Sequence, residues 1–118
     1  MLVVDDDPGV RDVCTALFHA LGYRAAEASC GASALEAATC RGGEHLHLVL
    51  LDLEMPGMRG DEVMRALKAA RPNVRVLLMS GRPSNDLRAY LDRGADGVLR
   101  KPFGLRDLDD SVGALLSE

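Results

Sequence analysis

The chain has 118 residues, of which 47% are hydrophobic and 27% are charged, a composition that supports one globular domain with a packed core and excludes a disordered chain. Its formal net charge is −4 at pH 7 and only 3% of its residues are aromatic, which argues against nucleic-acid binding by this domain. No apolar run has the length of a transmembrane helix and no signal-peptide pattern begins the sequence, so we expect a cytoplasmic protein that does not associate with membranes.

Five short runs, of which four are apolar and the one at 24–28 is only a weak strand signal, alternate with five helical patterns along the chain. The runs predict strands at 2–4, 24–28, 48–51, 74–79 and 98–100. Their length and aliphatic composition are typical of buried strands in a parallel sheet, and the run at 48–51 is the most apolar. Because the connections are short, we predict a single α/β, doubly wound domain over residues 1–118, with five helices flanking a five-stranded sheet. Periodicity alone does not fix the strand order, and we favour the flavodoxin-like order 2-1-3-4-5.

The helices are predicted from their apolar spacing and from the residues at their ends. Asp7-Pro8 begins the first helix and Gly22 ends it, with an apolar face made of Val10, Val13, Leu17 and Leu21. The second and third helices are predicted at 31–39 and 61–70, separated by a strand and by a loop at 54–60. The fourth helix runs from a cap at Ser84 or Asn85 to about residue 93. The last is lined by Leu105, Leu108, Val112, Leu115 and Leu116.

Polar residues stand where four of the apolar runs end. Asp5 and Asp6 follow the first run, Asp52 the third, Ser80 the fourth and Lys101 the fifth. The carboxyl ends of parallel strands meet at one edge of the sheet, so we expect these side chains to converge on one cleft. Three neighbouring carboxylates repel one another unless a cation lies between them. The pattern therefore predicts a site for Mg²⁺, which binds carboxylates and phosphate oxygens.

A carboxylate beside a metal ion can act as a nucleophile toward phosphorus. We predict this role for Asp52, because it ends the most apolar strand, where an unpaired charge is costly. Lys101 is then expected to contact one oxygen of the transferred group as a point charge, and Ser80 another as a hydrogen-bond donor. Positioning and charge neutralisation are the main requirements of phosphoryl transfer, so these residue types together predict an aspartyl-phosphate.

Four segments carry a resemblance to a known family: VVDDDP, LVLLDLEMPGMRG, VLLMSG and GADGVLRKPF. In this order and spacing, the chain resembles the CheY-like receiver domain of two-component response regulators. The resemblance implies that Asp52 is the phosphoacceptor, that Ser80 is the switch hydroxyl and that Lys101 is the family's lysine before a proline. It also implies a cis peptide bond between Lys101 and Pro102, which proline tolerates.

The resemblance further implies a metal site. Asp6 is expected to bind Mg²⁺, or alternatively Mn²⁺, directly, and Asp5 to act on the ion largely through water. Asp52 and the backbone carbonyl of Glu54 complete the implied protein ligands.

Residues around the switch position are implied to modulate the signal. Glu54 and Arg82, two positions beyond Asp52 and Ser80, lie where the family tunes the lifetime of the phosphoryl group, and Gly81 lies between Ser80 and Arg82. Family members often carry Tyr, Phe or His three residues before the lysine, where this chain has Val98. We therefore expect the signal to be read through Ser80, Gly81 and the helix predicted to end near residue 93.

The implied partner is a sensor histidine kinase or a histidine phosphotransfer protein that carries a phosphohistidine. The resemblance is to a bacterial phosphorelay component that catalyses its own phosphotransfer and slow dephosphorylation. Phosphorylation of such a domain biases a two-state equilibrium. Receivers of this kind commonly use the face formed by the fourth helix, last strand and last helix for homodimers or effectors. Segments such as RKPFGLRDL resemble receivers of hybrid histidine kinases.

Three alternatives remain open from the sequence. Haloacid-dehalogenase-like phosphatases also use an aspartate, Mg²⁺ and a lysine, but they need a second aspartate where this chain has Glu54. A pseudo-receiver acting only as a binding module is disfavoured because the implied positions are filled, and a flavin-binding protein because no phosphate loop follows the first strand.

His19, His45 and His47 lack further ligands at metal spacing, and three cysteines without a C-x-x-C pair predict free thiols.

Overall fold

A computed structural model describes residues 1–39, 46–57, 59–82 and 86–116. Its single sheet contains the strands β1 (Leu2–Val4), β2 (Ala26–Ala28), β3 (Leu48–Asp52), β4 (Arg75–Ser80) and β5 (Gly97–Arg100). All the pairings are parallel and the order is β2-β1-β3-β4-β5. The predicted fold class and strand order are therefore confirmed.

Among the described residues, four helices connect the strands and a fifth follows β5: α1 (Pro8–Ala20), α2 (Gly31–Thr39), α3 (Gly60–Ala70), α4 (Leu87–Asp92) and α5 (Leu105–Leu116). The apolar residues divide into two cores on opposite faces of the sheet. One core joins α2 and α3 to side chains such as Val4 and Leu51. The other joins α1 and α5 to Val3 and Leu50, the residues that directly precede Val4 and Leu51. Since successive strand residues face opposite ways and both faces are covered, β1 and residues 48–51 of β3 are all apolar, which explains these unbroken hydrophobic runs.

The first helix is rotated relative to the prediction. Its buried residues are Cys14 and Phe18, whereas Val13, placed on the apolar face by the sequence, is 59% exposed. Val10, Leu17 and Leu21 are partly buried, as predicted. The large Phe18 ring, which packs edge-on against Tyr23 with 6.3 Å between ring centroids, takes the centre of the face and leaves Val13 at its margin.

Two helix ends differ from the sequence prediction and one agrees. Asp7 caps α1 as predicted, because its Oδ1 accepts hydrogen bonds from the N–H groups of Gly9 and Val10. The cap of α4 is Asp86, which accepts from the N–H of Arg88, so the cap predicted at 84 or 85 is wrong; those two positions lie outside the described residues. Gly60 begins α3 instead of ending the preceding loop.

Asp96 fixes the position of β5 from the amino ends of the strands, at the end of the sheet opposite the predicted cleft. Its carboxylate accepts a hydrogen bond from the N–H of Val76 at 2.8 Å and pairs with Lys68 Nζ at 2.7 Å and Arg75 Nη1 at 3.6 Å. These contacts join the start of β4 and the end of α3 to the residue that precedes β5. They help to set the register that carries Lys101, directly after β5, to the cleft.

None of the described helices is both long enough and apolar enough to span a membrane.

Candidate functional site

Three carboxylates meet at the carboxyl ends of β1 and β3. Asp5 and Asp52 are buried, Asp6 is exposed, and each offers an oxygen atom within 4.8 Å of the other two. Strand register causes this convergence, because Val4 lies beside Leu51 in the sheet and the aspartates follow directly. A set of three hard oxygen donors fits a divalent cation such as Mg²⁺. The sequence prediction that these residues share one cleft is confirmed.

Lys101 reaches the same cleft from the end of β5. Its Nζ lies 2.9 Å from Asp5 Oδ2 and 3.2 Å from Asp52 Oδ1. One ammonium faces three carboxylates, which leaves the cleft with an excess of negative charge when all the groups are ionised. This excess favours a bound cation, and the ammonium remains close enough to contact an anion joined to Asp52.

The ionisation of the cleft reflects burial and these charge contacts. Burial raises the pKa of Asp52, and this effect is opposed by a hydrogen bond from the N–H of Glu54 and by the ammonium of Lys101. Burial alone would lower the pKa of Lys101, but its bonds to the carboxylates of Asp5 and Asp52 outweigh this and raise it. Lys101 therefore stays a cation beside Asp52 at neutral pH.

Asp5 is held on both sides by residues that the sequence did not single out for this purpose. Its Oδ1 accepts a hydrogen bond from the N–H of Asp7 at 2.9 Å, and its backbone carbonyl accepts one from Arg11 Nη1 at 2.6 Å. Arg11 also pairs with Glu27 at 3.3 Å, which ties α1 to β2. An arginine on the polar side of a helix gives no sequence signal of such a role, because surface arginines are common.

The loop after β4 contributes the predicted switch residues. Ser80 is fully buried, and its Oγ accepts a hydrogen bond from the N–H of Arg82 at 3.2 Å. Its carbonyl accepts one from the N–H of Lys101 at 2.8 Å. The carbonyl of Arg82 accepts a 2.7 Å hydrogen bond from Arg100 Nη1, a contact that the sequence did not indicate. The first residues of this loop are thus bonded to the end of β5, at Arg100, and to Lys101, which follows it.

Two other predicted residues have different surroundings. The N–H of Gly81 donates to Glu54 Oε1 at 2.7 Å, which joins the loop after β4 to the loop after Asp52. Val98 lies in β5 beside Leu78 and packs, half buried, against the core shared with α2 and α3. The structure therefore brings Gly81 to the cleft, whereas Val98 belongs to the sheet packing. The Lys101–Pro102 peptide bond is cis, as the resemblance implied.

A cavity of about 340 Å³ lies beside the cleft, between α1 and the loop after β5, and is lined by Val10, Val13, Cys14, Lys101, Pro102 and Phe103. Burial, together with the nearby charge of Asp5, raises the pKa of the Cys14 thiol to about 11. Cys30 differs, because it is exposed and hydrogen bonds from Ser33 lower its pKa. The thiolate is the reactive form of cysteine, so the two thiols have opposite reactivity.

We expect iodoacetamide to label Cys30 at least about tenfold faster than Cys14, because Cys30 is exposed and carries more thiolate at any given pH. Peptide mass spectrometry of the native protein carrying Cys40→Ser measures both rates. The Cys30→Ser and Cys14→Ser variants of that protein confirm the assignment of each labelled site. The two cysteines should be labelled at similar rates only after denaturation. Equal labelling rates in the native protein would contradict this prediction.

A family model described as the response regulator receiver domain matches residues 1–113. The chain belongs to this family. The predicted function is therefore confirmed at the level of the family: this is a CheY-like phosphoacceptor receiver domain of two-component signalling. The match decides against the phosphatase and the flavin-binding alternatives.

The receiver domain has close relatives of different lengths. It is 42% identical over 120 residues to the transcriptional regulatory protein PrrA of Mycobacterium tuberculosis, with 98% of this chain and 49% of PrrA covered. It is 34% identical over 113 residues to sporulation initiation phosphotransferase F of Bacillus subtilis, with 95% of this chain and 89% of the relative covered. The chain thus spans about half the length of PrrA.

Solved structures share the fold of this receiver domain. The CheY-like receiver domain protein from Methanospirillum hungatei JF-1 superposes with a TM-score of 0.87 at 27% identity, covering 98% of this chain and 91% of that one.

Proposed function

We propose that Asp52 of this receiver domain accepts a phosphoryl group from a phosphohistidine of a sensor histidine kinase or histidine phosphotransfer protein. The observation that carries the proposal is the position of the Asp52 carboxylate, buried at the centre of the sheet and 3.2 Å from the Lys101 ammonium. In the transfer, an Asp52 oxygen forms a bond to phosphorus while the bond between phosphorus and the partner's imidazole nitrogen breaks. The imidazole leaves with that electron pair and takes up a proton.

The residues of the cleft divide this work. Lys101 contacts an oxygen of the transferring group and neutralises part of its charge, and the buried Ser80 hydroxyl donates a hydrogen bond to another. Asp5, Asp6, Asp52 and the backbone carbonyl of Glu54 would hold Mg²⁺, or Mn²⁺ in its place. When bound there, the ion supplies positive charge to the phosphoryl oxygens.

The phosphoryl group then changes the surface of the domain. Because Ser80 also accepts a bond from Arg82, turning its hydroxyl toward a phosphoryl oxygen alters the loop that leads to α4. Val98 has no polar group with which to follow that movement. The proposed readout therefore runs through Ser80, Gly81 and α4, with Glu54 and Arg82 modulating the lifetime of the phosphoryl group.

Wider assembly remains a prediction. A homodimer or an effector is expected on the face formed by α4, β5 and α5, which presents exposed charged residues from all three elements, among them Arg88, Arg100 and Asp109. We also propose that residues 1–118 form a single domain and that the protein is cytoplasmic. We propose in the same way that the domain is part of a hybrid histidine kinase or of a longer regulator.

The proposal is tested by incubating the protein with acetyl phosphate and MgCl₂ and recording its intact mass. We expect one added phosphoryl group, which is lost on treatment with neutral hydroxylamine because an acyl phosphate is cleaved by that nucleophile. Addition of EDTA before the donor should prevent the adduct, since the carboxylate cluster then lacks its cation. An unmodified protein that still binds Mg²⁺ would refute the proposal and favour a pseudo-receiver that acts as a binding module.

A further inference from the structure

The N–H of Gly81 is a hydrogen-bond donor beside the cleft, and it is already engaged by a carboxylate of the chain. The donor lies 2.7 Å from Glu54 Oε1, on a loop 27 residues away in sequence. Gly81 packs against Lys101, because a Cβ added to it would lie 3.7 Å from both Cβ and Cδ of that side chain. The donor therefore stands next to the residue whose ammonium contacts Asp52.

Glu54 is itself fixed to Asp52. Its N–H donates to Asp52 Oδ1 at 3.1 Å, so the backbone from which its side chain extends is bonded to the carboxylate that is proposed to be phosphorylated. The same residue thus contacts Asp52 through its backbone and Gly81 through its side chain. The Lys101 side chain joins the two groups, because its Nζ contacts Asp52 while its Cβ and Cδ lie beside Gly81.

We propose that Glu54 is a positioning residue that holds Gly81 in its resting place and competes with the phosphoryl group for the Gly81 N–H. The proposal rests on the proposed function, in which Asp52 is the phosphoacceptor. At rest, the Glu54 carboxylate is the anionic partner of that N–H. On phosphorylation, the bond between Glu54 and Gly81 is exchanged for one between the phosphoryl oxygen and Gly81, and the loop after Ser80 is released from the loop after Asp52.

Two effects of the Glu54 side chain need to be separated. Its charge repels an incoming anion, and its oxygen occupies the donor. Glu54→Gln removes the charge but keeps an acceptor oxygen of the same reach, whereas Glu54→Ala removes both. Both variants keep the backbone carbonyl that is expected to bind the metal. If Glu54 competes by occupying the donor, the affinity for a phosphoryl analogue should rise in Glu54→Gln and rise further in Glu54→Ala. If Glu54 acts by charge repulsion alone, the two variants should have equal affinities.

The first measurement is the ¹H–¹⁵N resonance of Gly81 in the full chain, without a divalent cation or a phosphodonor. A short hydrogen bond to a carboxylate moves an amide proton downfield, so we expect its resonance to shift upfield in Glu54→Ala and by less in Glu54→Gln. The amide of Arg75, which donates to the carbonyl of His47 at 3.0 Å at the opposite end of the sheet, is the internal reference. Glu62→Ala removes an equal charge from an exposed site in α3 and should leave Gly81 unchanged.

The second measurement is the affinity for beryllofluoride, a tetrahedral analogue of the phosphoryl group, titrated with saturating Mg²⁺. Removing a competing charged hydrogen bond is expected to tighten binding by about tenfold in Glu54→Ala and by less in Glu54→Gln. Three results would overturn the competition. They are an unchanged Gly81 resonance, equal affinities of the parent and Glu54→Ala, or an equal gain in affinity in both variants. In the last two cases Asp52 remains the acceptor, whereas failure of the parent and all variants to bind would overturn the proposed function as well.

Discussion

Replacing Asp52 by asparagine is expected to abolish phosphorylation by acetyl phosphate. The amide has nearly the same shape as the carboxylate but no anionic oxygen, so it cannot form the bond to phosphorus. Asp52 is 3% exposed and makes its contacts with the N–H of Glu54 and with Lys101 through a single oxygen, which the amide oxygen can replace. The variant should therefore fold. Intact-mass spectrometry after treatment with donor and MgCl₂ should show no adduct.

The matched control for this prediction is Asp7→Asn. Asp7 lies two residues after Asp5 and caps α1, and asparagine is an equally good cap, so the substitution preserves the helix while removing one carboxylate near the cleft. This variant should gain one phosphoryl group, as the parent does. An adduct of unchanged yield in Asp52→Asn would place the acceptor elsewhere, and peptide mapping would then locate it.

Phe18→Ala is expected to lower the free energy of unfolding by about 3–5 kcal/mol, the cost of removing a large aromatic side chain from a packed core. Phe18 is fully buried at the centre of the core between α1, α5 and the sheet, and its ring packs edge-on against Tyr23. Urea unfolding followed by circular dichroism measures the change.

Val13→Ala, on the same helix, is the control for the Phe18 substitution. Val13 is 59% exposed, so we expect a change within about 0.5 kcal/mol. A loss comparable to that of Phe18→Ala would mean that Val13 faces the core, as the sequence pattern predicted, and that the rotation of α1 described above is wrong.

The fold was predictable because its signal is repeated. Four of the five strands lie in short apolar runs and each strand is followed by a helical pattern, so these local patterns agree with one architecture; β2, with the sequence Ala-Glu-Ala, gives the weakest signal. The cleft was predictable for a related reason. Asp5 and Lys101 directly follow strands and Asp52 ends one, and the geometry of a parallel sheet brings such positions together at one end of the sheet.

Contacts made by side chains across loops were not predictable in the same way. Glu54 was identified as a modulating residue, but nothing in its neighbourhood in sequence indicates that its carboxylate reaches the N–H of Gly81. Arg11 and Arg100 bond to backbone carbonyls of Asp5 and Arg82, and these acceptors carry no residue-type signature. The rotation of α1 was missed because Val13 and Phe18 are both apolar, and only the packing of the large ring decides which one is buried.

The ion pair between Asp5 and Lys101 joins residues that are 96 positions apart in the chain. The cleft therefore exists only when the first and the last strand are both in place, and a fragment lacking either one cannot form it. A ligand that binds only to this complete cleft adds RT ln(1 + [L]/Kd) to the free energy of unfolding of the whole domain. Reversible occupancy of the cleft, by a cation for example, is thus linked to the population of unfolded chains that proteases can attack.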